Sequence, residues 1–150
     1  MDERIILKQF EHMVARFEAA WNRHSAHDLA AMFAVDAEFI SVCGLWWRGR
    51  GQIEAAYVQY HASAYKCSVL EVRINTTKVL SAETALLICE WDLEGQLGAG
   101  GVRRPPDAGV MSWMLTWNRG EWLVSVSQNT YRLDSRVREI RYRDEADMTL

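Results

Sequence analysis

The apolar positions of the first third of the chain have the spacing of helices. Between Ile5 and about Arg23 they recur every three or four residues, which predicts one long amphipathic helix whose buried stripe is Leu7, Phe10, Val14, Phe17 and Trp21. Ser25, with Asp28 three residues later, has the pattern of a capping box. It predicts a second, short helix over the apolar run that ends at Phe33.

Residues 36–65 are predicted to form a short strand, a turn and a third helix. Asp36 and Ala37 end the second helix, residues 38–42 alternate as a strand, and residues 44–49 form a turn-rich crossing. A helix opening at Gly51 and Gln52 places five side chains on one face: Ile53, Ala56, Tyr57, Tyr60 and His61.

After Tyr65 the period changes to two, which predicts strands at about 67–79, 83–93, 108–117 and 121–130. Residues 94–107 contain four of the nine glycines and both prolines, so we expect a mobile hairpin loop there. A turn at Arg119 and Gly120 sets Trp117 opposite Trp122, and it predicts the pairs Trp113 with Val126 and Met111 with Gln128. In the 83–93 strand, Leu87, Cys89 and Trp91 share one face.

Length and composition limit the class of protein. The 150 residues suffice for one domain, predicted over residues 1–131, followed by a mixed-charge tail at 132–150. The chain opens on charged residues with no apolar segment behind them and has no long apolar run, so we expect a cytoplasmic protein without a membrane partner. A net charge of -3 gives no basic footprint for nucleic acid. The sequence has no metal-binding or nucleotide-binding motif, and we expect neither metal nor cofactor.

Three segments resemble the superfamily of nuclear transport factor two, ketosteroid isomerase and the SnoaL-like polyketide cyclases (NTF2-like proteins): residues 17–24, 29–33 and 36–39. Residues 44–50, 53–56 and 122–130 are similar to one branch, the SgcJ/EcaC family. Together the resemblance covers about residues 5–131. It implies an α+β, cone-shaped fold, with three N-terminal helices packed in a curved, mainly antiparallel sheet of four to six strands. It further implies a deep apolar pocket and a homodimer formed through the outer sheet face.

The resemblance does not extend to the catalytic residues of the isomerase. Ketosteroid isomerases use a carboxylate base, and a tyrosine with a protonated aspartate that holds the enolate oxygen. The three positions correspond here to Ser41, Phe17 and about Trp113, none of which can perform those roles. We therefore expect these residues to shape the pocket rather than to catalyse that reaction.

The predicted pocket is aromatic with a few polar groups, a composition typical of small-molecule sites. Two hypotheses follow: an isomerase or natural-product tailoring enzyme in which His61 moves a proton while Tyr57 and Gln128 polarise an oxygen, or a non-catalytic carrier or partner-binding domain. Either would bind a hydrophobic or aromatic molecule. The predicted lining is Phe17, Trp21, Ser41, Trp46, Tyr57, His61, Cys89, Trp91, Met111, Trp113 and Gln128.

Overall fold

The computed structural model describes residues 2–133, so all but the first two residues of the predicted 132–150 tail lie outside the described range. Within that range the predicted α+β class is confirmed, with three α-helices and one six-stranded sheet. The helices are α1 (Glu3–Asn22), α2 (Ala26–Ala30) and α3 (Arg50–Ala62). The strands are β1 (Phe33–Ile40), β2 (Trp46–Arg48), β3 (Val69–Ser81), β4 (Thr84–Glu94), β5 (Asp107–Asn118) and β6 (Glu121–Tyr131).

Each of the first two helices begins at a residue that caps it. The Asp2 carboxylate accepts from the Arg4 amide at 3.0 Å, and the Ser25 hydroxyl accepts from the Asp28 amide at 3.2 Å. The buried stripe of α1 differs from the prediction, because Leu7 is 42% exposed and the additional residues Ile6, Met13 and Ala20 are buried. The stripe runs over Ile6, Phe10, Met13, Val14, Phe17, Ala20 and Trp21, in phase with the 3.6-residue turn.

The sheet has the strand order β2-β1-β6-β5-β4-β3, with β1 and β6 parallel and the other described pairs antiparallel. Inner-face side chains of β4 are buried in strict alternation, as predicted for Leu87, Cys89 and Trp91. The helices cover this face, and the core lies between the two layers.

Two boundaries predicted in the first half are wrong. Helix α2 ends at Ala30, and β1 already begins at Phe33, which pairs with Val124 of β6. A continuous apolar run fits a buried helix or a buried strand equally well, and here the pairing with β6 decides. The predicted turn at 44–49 contains β2, whose residues 46–48 pair with 38–40 of β1.

The β5–β6 hairpin contains a one-residue bulge that changes its register. Trp117 pairs with Trp122 as predicted, but Met114 pairs with Val126 while Leu115 pairs with Val124, so Ser125 is the extra residue. Beyond the bulge, Trp113 therefore pairs with Ser127, and Met111 with Asn129. The predicted partners Val126 and Gln128 are on the opposite face, because a one-residue shift reverses the faces of a strand.

Candidate functional site

A cavity of about 90 Å³, partly open to solvent, lies between the inner sheet face and helices α1 and α3. We call it the aromatic cavity, since eight of its sixteen lining residues carry aromatic rings. These eight are Phe17, Trp21, Phe39, Tyr57, Tyr60, Tyr65, Trp91 and Tyr131, and the others are Ser41, Val42, Leu70, Val72, Leu93, Asp107, Met111 and Asn129.

Helix α1 supplies one wall through Phe17 and Trp21, which are one turn apart. Phe17 packs edge-on against Trp113, with 5.1 Å between ring centroids. Trp113 is fully buried behind it, and its indole nitrogen donates to the Ser127 hydroxyl at 3.1 Å. Trp113 thus supports the wall without lining the cavity, in contrast to the prediction.

The orientation of Trp21 is fixed by a short chain of hydrogen bonds. Its indole nitrogen donates to the Ser68 hydroxyl at 3.0 Å, and that hydroxyl donates to the Tyr65 carbonyl oxygen at 2.7 Å. The rings of Tyr57 and Tyr65 meet the indole edge-on, with centroids at 6.1 and 5.8 Å. Because its N–H already has a partner, Trp21 offers the cavity only its ring.

Tyr57, on α3, has a polar group without a hydrogen-bond partner in the described part of the chain. Its side chain lines the cavity and is 3% exposed, and its hydroxyl has no hydrogen-bond partner among residues 2–133. Burial raises the pKa of Tyr57, so the hydroxyl keeps its proton at neutral pH. It can therefore donate or accept one hydrogen bond to a bound molecule.

His61, the predicted proton carrier, does not line the cavity. It packs against Trp21 at 4.7 Å and against His24 at 4.8 Å between centroids, and neither ring nitrogen has a partner within the described chain. Burial and the neighbouring His24 lower the pKa of His61 to about 4. The imidazole is therefore neutral at pH 7 and lies outside the cavity wall.

A carboxylate that the sequence reasoning missed lines the cavity. Asp107, at the start of β5, is 7% exposed and accepts a hydrogen bond from the amide nitrogen of Gln96 at 2.9 Å. Gln96 is fully buried and also donates to the Pro105 carbonyl oxygen at 3.1 Å. The Arg104 guanidinium lies 3.9 Å from the carboxylate.

The segment between β4 and β5, predicted as a mobile loop, has fixed contacts to the rest of the domain. The Leu97 amide donates to the Ala64 carbonyl oxygen at 2.7 Å, and the Arg104 amide donates to the Gln96 carbonyl oxygen at 2.9 Å. Leu97 and Arg103 form a β-bridge across the segment. These contacts hold Gln96 and Asp107 beside the cavity.

Three further predicted residues lie elsewhere. Trp46 is 52% exposed and stacks with the Arg48 guanidinium at 4.6 Å, while the neighbouring Trp47 packs against Phe39 and Tyr60. Gln128 is exposed, because the Ser125 bulge turns it to the outer face. Cys89 is buried on the inner face without reaching the cavity.

The remaining predicted positions are Phe17, Trp21, Ser41, Tyr57, Trp91 and Met111, and these do line the cavity. Ser41 accepts from the Leu45 amide at 3.1 Å and lies 3.4 Å from the Cys43 sulfur. No group of three or more potential metal ligands is found within residues 2–133. No helix in the described range is long and apolar enough to cross a membrane.

No family model and no curated protein matches this sequence. Solved structures do match. An NTF2-like protein of unknown function from Shewanella oneidensis MR-1 is 20% identical with a TM-score of 0.70, and the match covers 83% of this chain and 98% of that one. A ketosteroid isomerase-like protein from Erwinia carotovora atroseptica SCRI1043 is 16% identical with a TM-score of 0.71, over 85% and 97% of the two chains. A hexachlorocyclohexane dehydrochlorinase is 14% identical with a TM-score of 0.78, over 87% and 88%.

The TM-scores of 0.70, 0.71 and 0.78 establish a common fold. Because the sequence identities are low, the narrower SgcJ/EcaC resemblance stays a prediction. The match in architecture extends over most of both chains in each of the three cases. The chain therefore has the fold of the NTF2-like and ketosteroid isomerase-like proteins, as its sequence motifs predicted.

Proposed function

We propose that this protein binds a small, largely apolar molecule in the aromatic cavity. The observation that carries the proposal is the lining itself, in which eight aromatic residues surround open space, among them Tyr57, whose hydroxyl has no partner among residues 2–133. A cavity of about 90 Å³ is smaller than the roughly 150 Å³ apolar cavity that holds one benzene. The enclosed part of the ligand is thus smaller than one benzene ring, and a one-ring or larger molecule would extend through the open side.

A thermal-shift and tryptophan-fluorescence titration tests the proposal with named probes: toluene, phenol, indole, a steroid and an aromatic polyketide. A ligand at about 100 times its Kd adds about 2.7 kcal/mol of stability, a rise of roughly 5–11 °C at this chain length. We expect one-ring probes to give that rise. If none of the five probes shifts Tm or fluorescence, the proposal is wrong.

A cavity-filling variant locates the binding. Val72 lines the cavity, so Val72→Phe should remove the thermal shift. Val69 lies on the same strand and is 60% exposed, so Val69→Phe is the matched control and should bind like the wild type. Equal shifts in both variants would place binding outside the aromatic cavity.

Asp107 favours a second candidate function, a proton-transfer reaction on the bound molecule. The arrangement does not favour His61 as its base, because the imidazole is outside the wall and Gln128 is on the outer face. A carboxylate that lines the cavity can accept a proton from a bound substrate. The test is incubation of a bound probe in D2O followed by mass spectrometry. Deuterium uptake or a new product that Asp107→Asn abolishes would support an enzyme, whereas unchanged probe supports a carrier.

We also propose that the protein forms a homodimer through the outer sheet face. Leu86, Met114 and Val126 pair across β4, β5 and β6, and form a partly exposed apolar row. Met114→Lys should convert the dimer to a monomer in light scattering, whereas Leu80→Lys, at a 57% exposed position on β3, should not. A wild-type monomer at all concentrations would refute this proposal.

A further inference from the structure

The inner face of β5 lacks a side chain at one position beside the aromatic cavity. Asp107, Gly109 and Met111 follow one another on this face, where every second residue is buried. Asp107 and Met111 line the cavity, and so do Trp91 and Tyr131, the residues that pair with Gly109 in β4 and β6. Gly109 is therefore a gap in the cavity floor, and lining residues surround it on all four sides.

The indole of Trp91 fills this gap. A Cβ atom added to Gly109 would overlap Cζ2 and Cε2 of the indole, so the ring lies over β5 in the space that a side chain at 109 would need. On the β6 side its neighbour is Tyr131, with 6.3 Å between ring centroids. Trp91 is buried, with 8% of its surface exposed. At this place the floor of the cavity is thus a side chain from the adjacent strand.

The glycine makes Trp91 different from a ring that other side chains support. Phe17, for example, packs edge-on against the fully buried Trp113, so a smaller residue at 17 would leave a second ring behind it. Behind the indole of Trp91 is the backbone of β5 at Gly109, which has no side chain that could move into the vacated space. A smaller residue at 91 should therefore leave a hollow continuous with the cavity, because a site that cannot collapse keeps its volume.

We propose that Trp91 limits the size of the enclosed part of the ligand, so that the aromatic cavity selects single-ring over fused-ring molecules. With the indole in place the enclosed space is about 90 Å³, less than the roughly 150 Å³ that holds one benzene, so a fused second ring stays outside. The pair of Trp91 and Gly109 is thus a specificity determinant, made of one large side chain and one absent side chain. This inference rests on the proposed binding function and adds to it the ligand size and the residue that limits it.

Phenol and 1-naphthol, which differ by one fused ring, test the inference by isothermal titration calorimetry. In the wild type the second ring has no enclosed space, and we expect 1-naphthol to bind no more than about threefold tighter than phenol. In Trp91→Leu, burial of that ring should raise the preference for 1-naphthol roughly tenfold. Trp91→Phe removes less of the indole, so it should raise the preference in the same direction by a smaller factor. This second variant decides the question if Trp91→Leu does not fold.

Two further variants assign the change to the gap at Gly109. Trp117 is half-buried and is not among the residues that line the cavity, so Trp117→Leu is the matched control and should keep the wild-type preference. Gly109→Val added to Trp91→Leu places a side chain in the gap and should reverse most of the increase. If Trp91→Leu and Trp91→Phe bind both probes with the wild-type preference, or if Trp117→Leu shows an equal increase, the inference is wrong and the binding function stands. If phenol and 1-naphthol bind neither to the wild type nor to the variants, and the toluene and indole titrations also fail, both are wrong.

Discussion

Gly109 is a position where a single added methyl group should be strongly destabilising. Gly109 pairs with Trp91 in β4 and Tyr131 in β6. A Cβ atom there would overlap Cζ2 and Cε2 of the Trp91 indole and lie 2.6 Å from the Thr130 carbonyl oxygen. The indole occupies the place that a side chain would need, so Gly109→Ala forces either the ring or the strand to move.

The expected loss of folding free energy depends on which of the groups that meet the new Cβ atom can move. Overpacking costs about 1–3 kcal/mol, and we expect the upper end, because the Thr130 oxygen is part of the backbone and cannot rotate away. About 3 kcal/mol corresponds to a Tm decrease of roughly 6–12 °C at this size. Urea denaturation gives the free energy and calorimetry the Tm.

A control and a rescue variant distinguish the effect of the Trp91 ring from the effect of the Thr130 backbone oxygen. A Cβ atom added at Gly51, in the first turn of α3, would meet nothing within 4 Å, so Gly51→Ala should be neutral or slightly stabilising. In a Trp91→Phe background the effect of Gly109→Ala should shrink by about 1 kcal/mol, since part of the overlapping ring is gone. A Tm for Gly109→Ala within about 2 °C of the wild type would refute this reasoning.

Three further outcomes are expected. The folded state binds a proton at His61 only near pH 4, whereas the unfolded chain binds one near the ordinary pKa of 6.5, so this group removes stability as the pH falls from 6.5 to 4. His61→Phe should flatten that part of the pH–stability curve by on the order of 1 kcal/mol for a partly covered ring, measured by urea denaturation, and an unchanged slope would contradict the assignment. Ser127→Ala leaves the buried Trp113 indole N–H without its acceptor and should cost about 1–3 kcal/mol by the same assay, with a shift in tryptophan emission. Ser25→Ala removes the cap of α2 and should cost about 0.5–2 kcal/mol, whereas an unchanged urea midpoint would show that the cap is dispensable.

Periodicity predicted the elements whose two faces differ. Helix α1, helix α3 and the four long strands each have one buried and one exposed side, and that asymmetry is visible in the sequence. Periodicity fails where an element has no difference between a buried and an exposed side. Phe33 lies in an apolar run that is buried whichever element it joins, and the short β2 carries Trp46 exposed on a sheet edge.

The cavity lining was only partly predictable, for two separate reasons. The residues around Ser125 alternate like a regular strand, so the bulge that exchanges Gln128 for Asn129 at the cavity leaves no local signal. Asp107 follows two prolines at the end of a glycine-rich segment. The position of its carboxylate beside the cavity depends on a hydrogen bond from Gln96, eleven positions earlier in the chain. Both features depend on contacts between distant residues, which a pattern within one segment does not contain.

The distribution of polarity in the cavity differs from that of the isomerase to which the sequence is similar. The three corresponding positions are occupied by Phe17, Ser41 and Trp113, and Ser41 already accepts from the Leu45 amide. Polar side chains at other positions line the cavity, among them Tyr57 on α3, Asp107 at the start of β5 and Asn129 on β6. If the cavity binds a small molecule as proposed, its polar contacts therefore come from α3, the start of β5 and β6 and not from the three isomerase positions. Val72→Phe fills the cavity and should exclude every probe, whereas Asp107→Asn keeps the size of the side chain and should leave room for an uncharged one-ring probe.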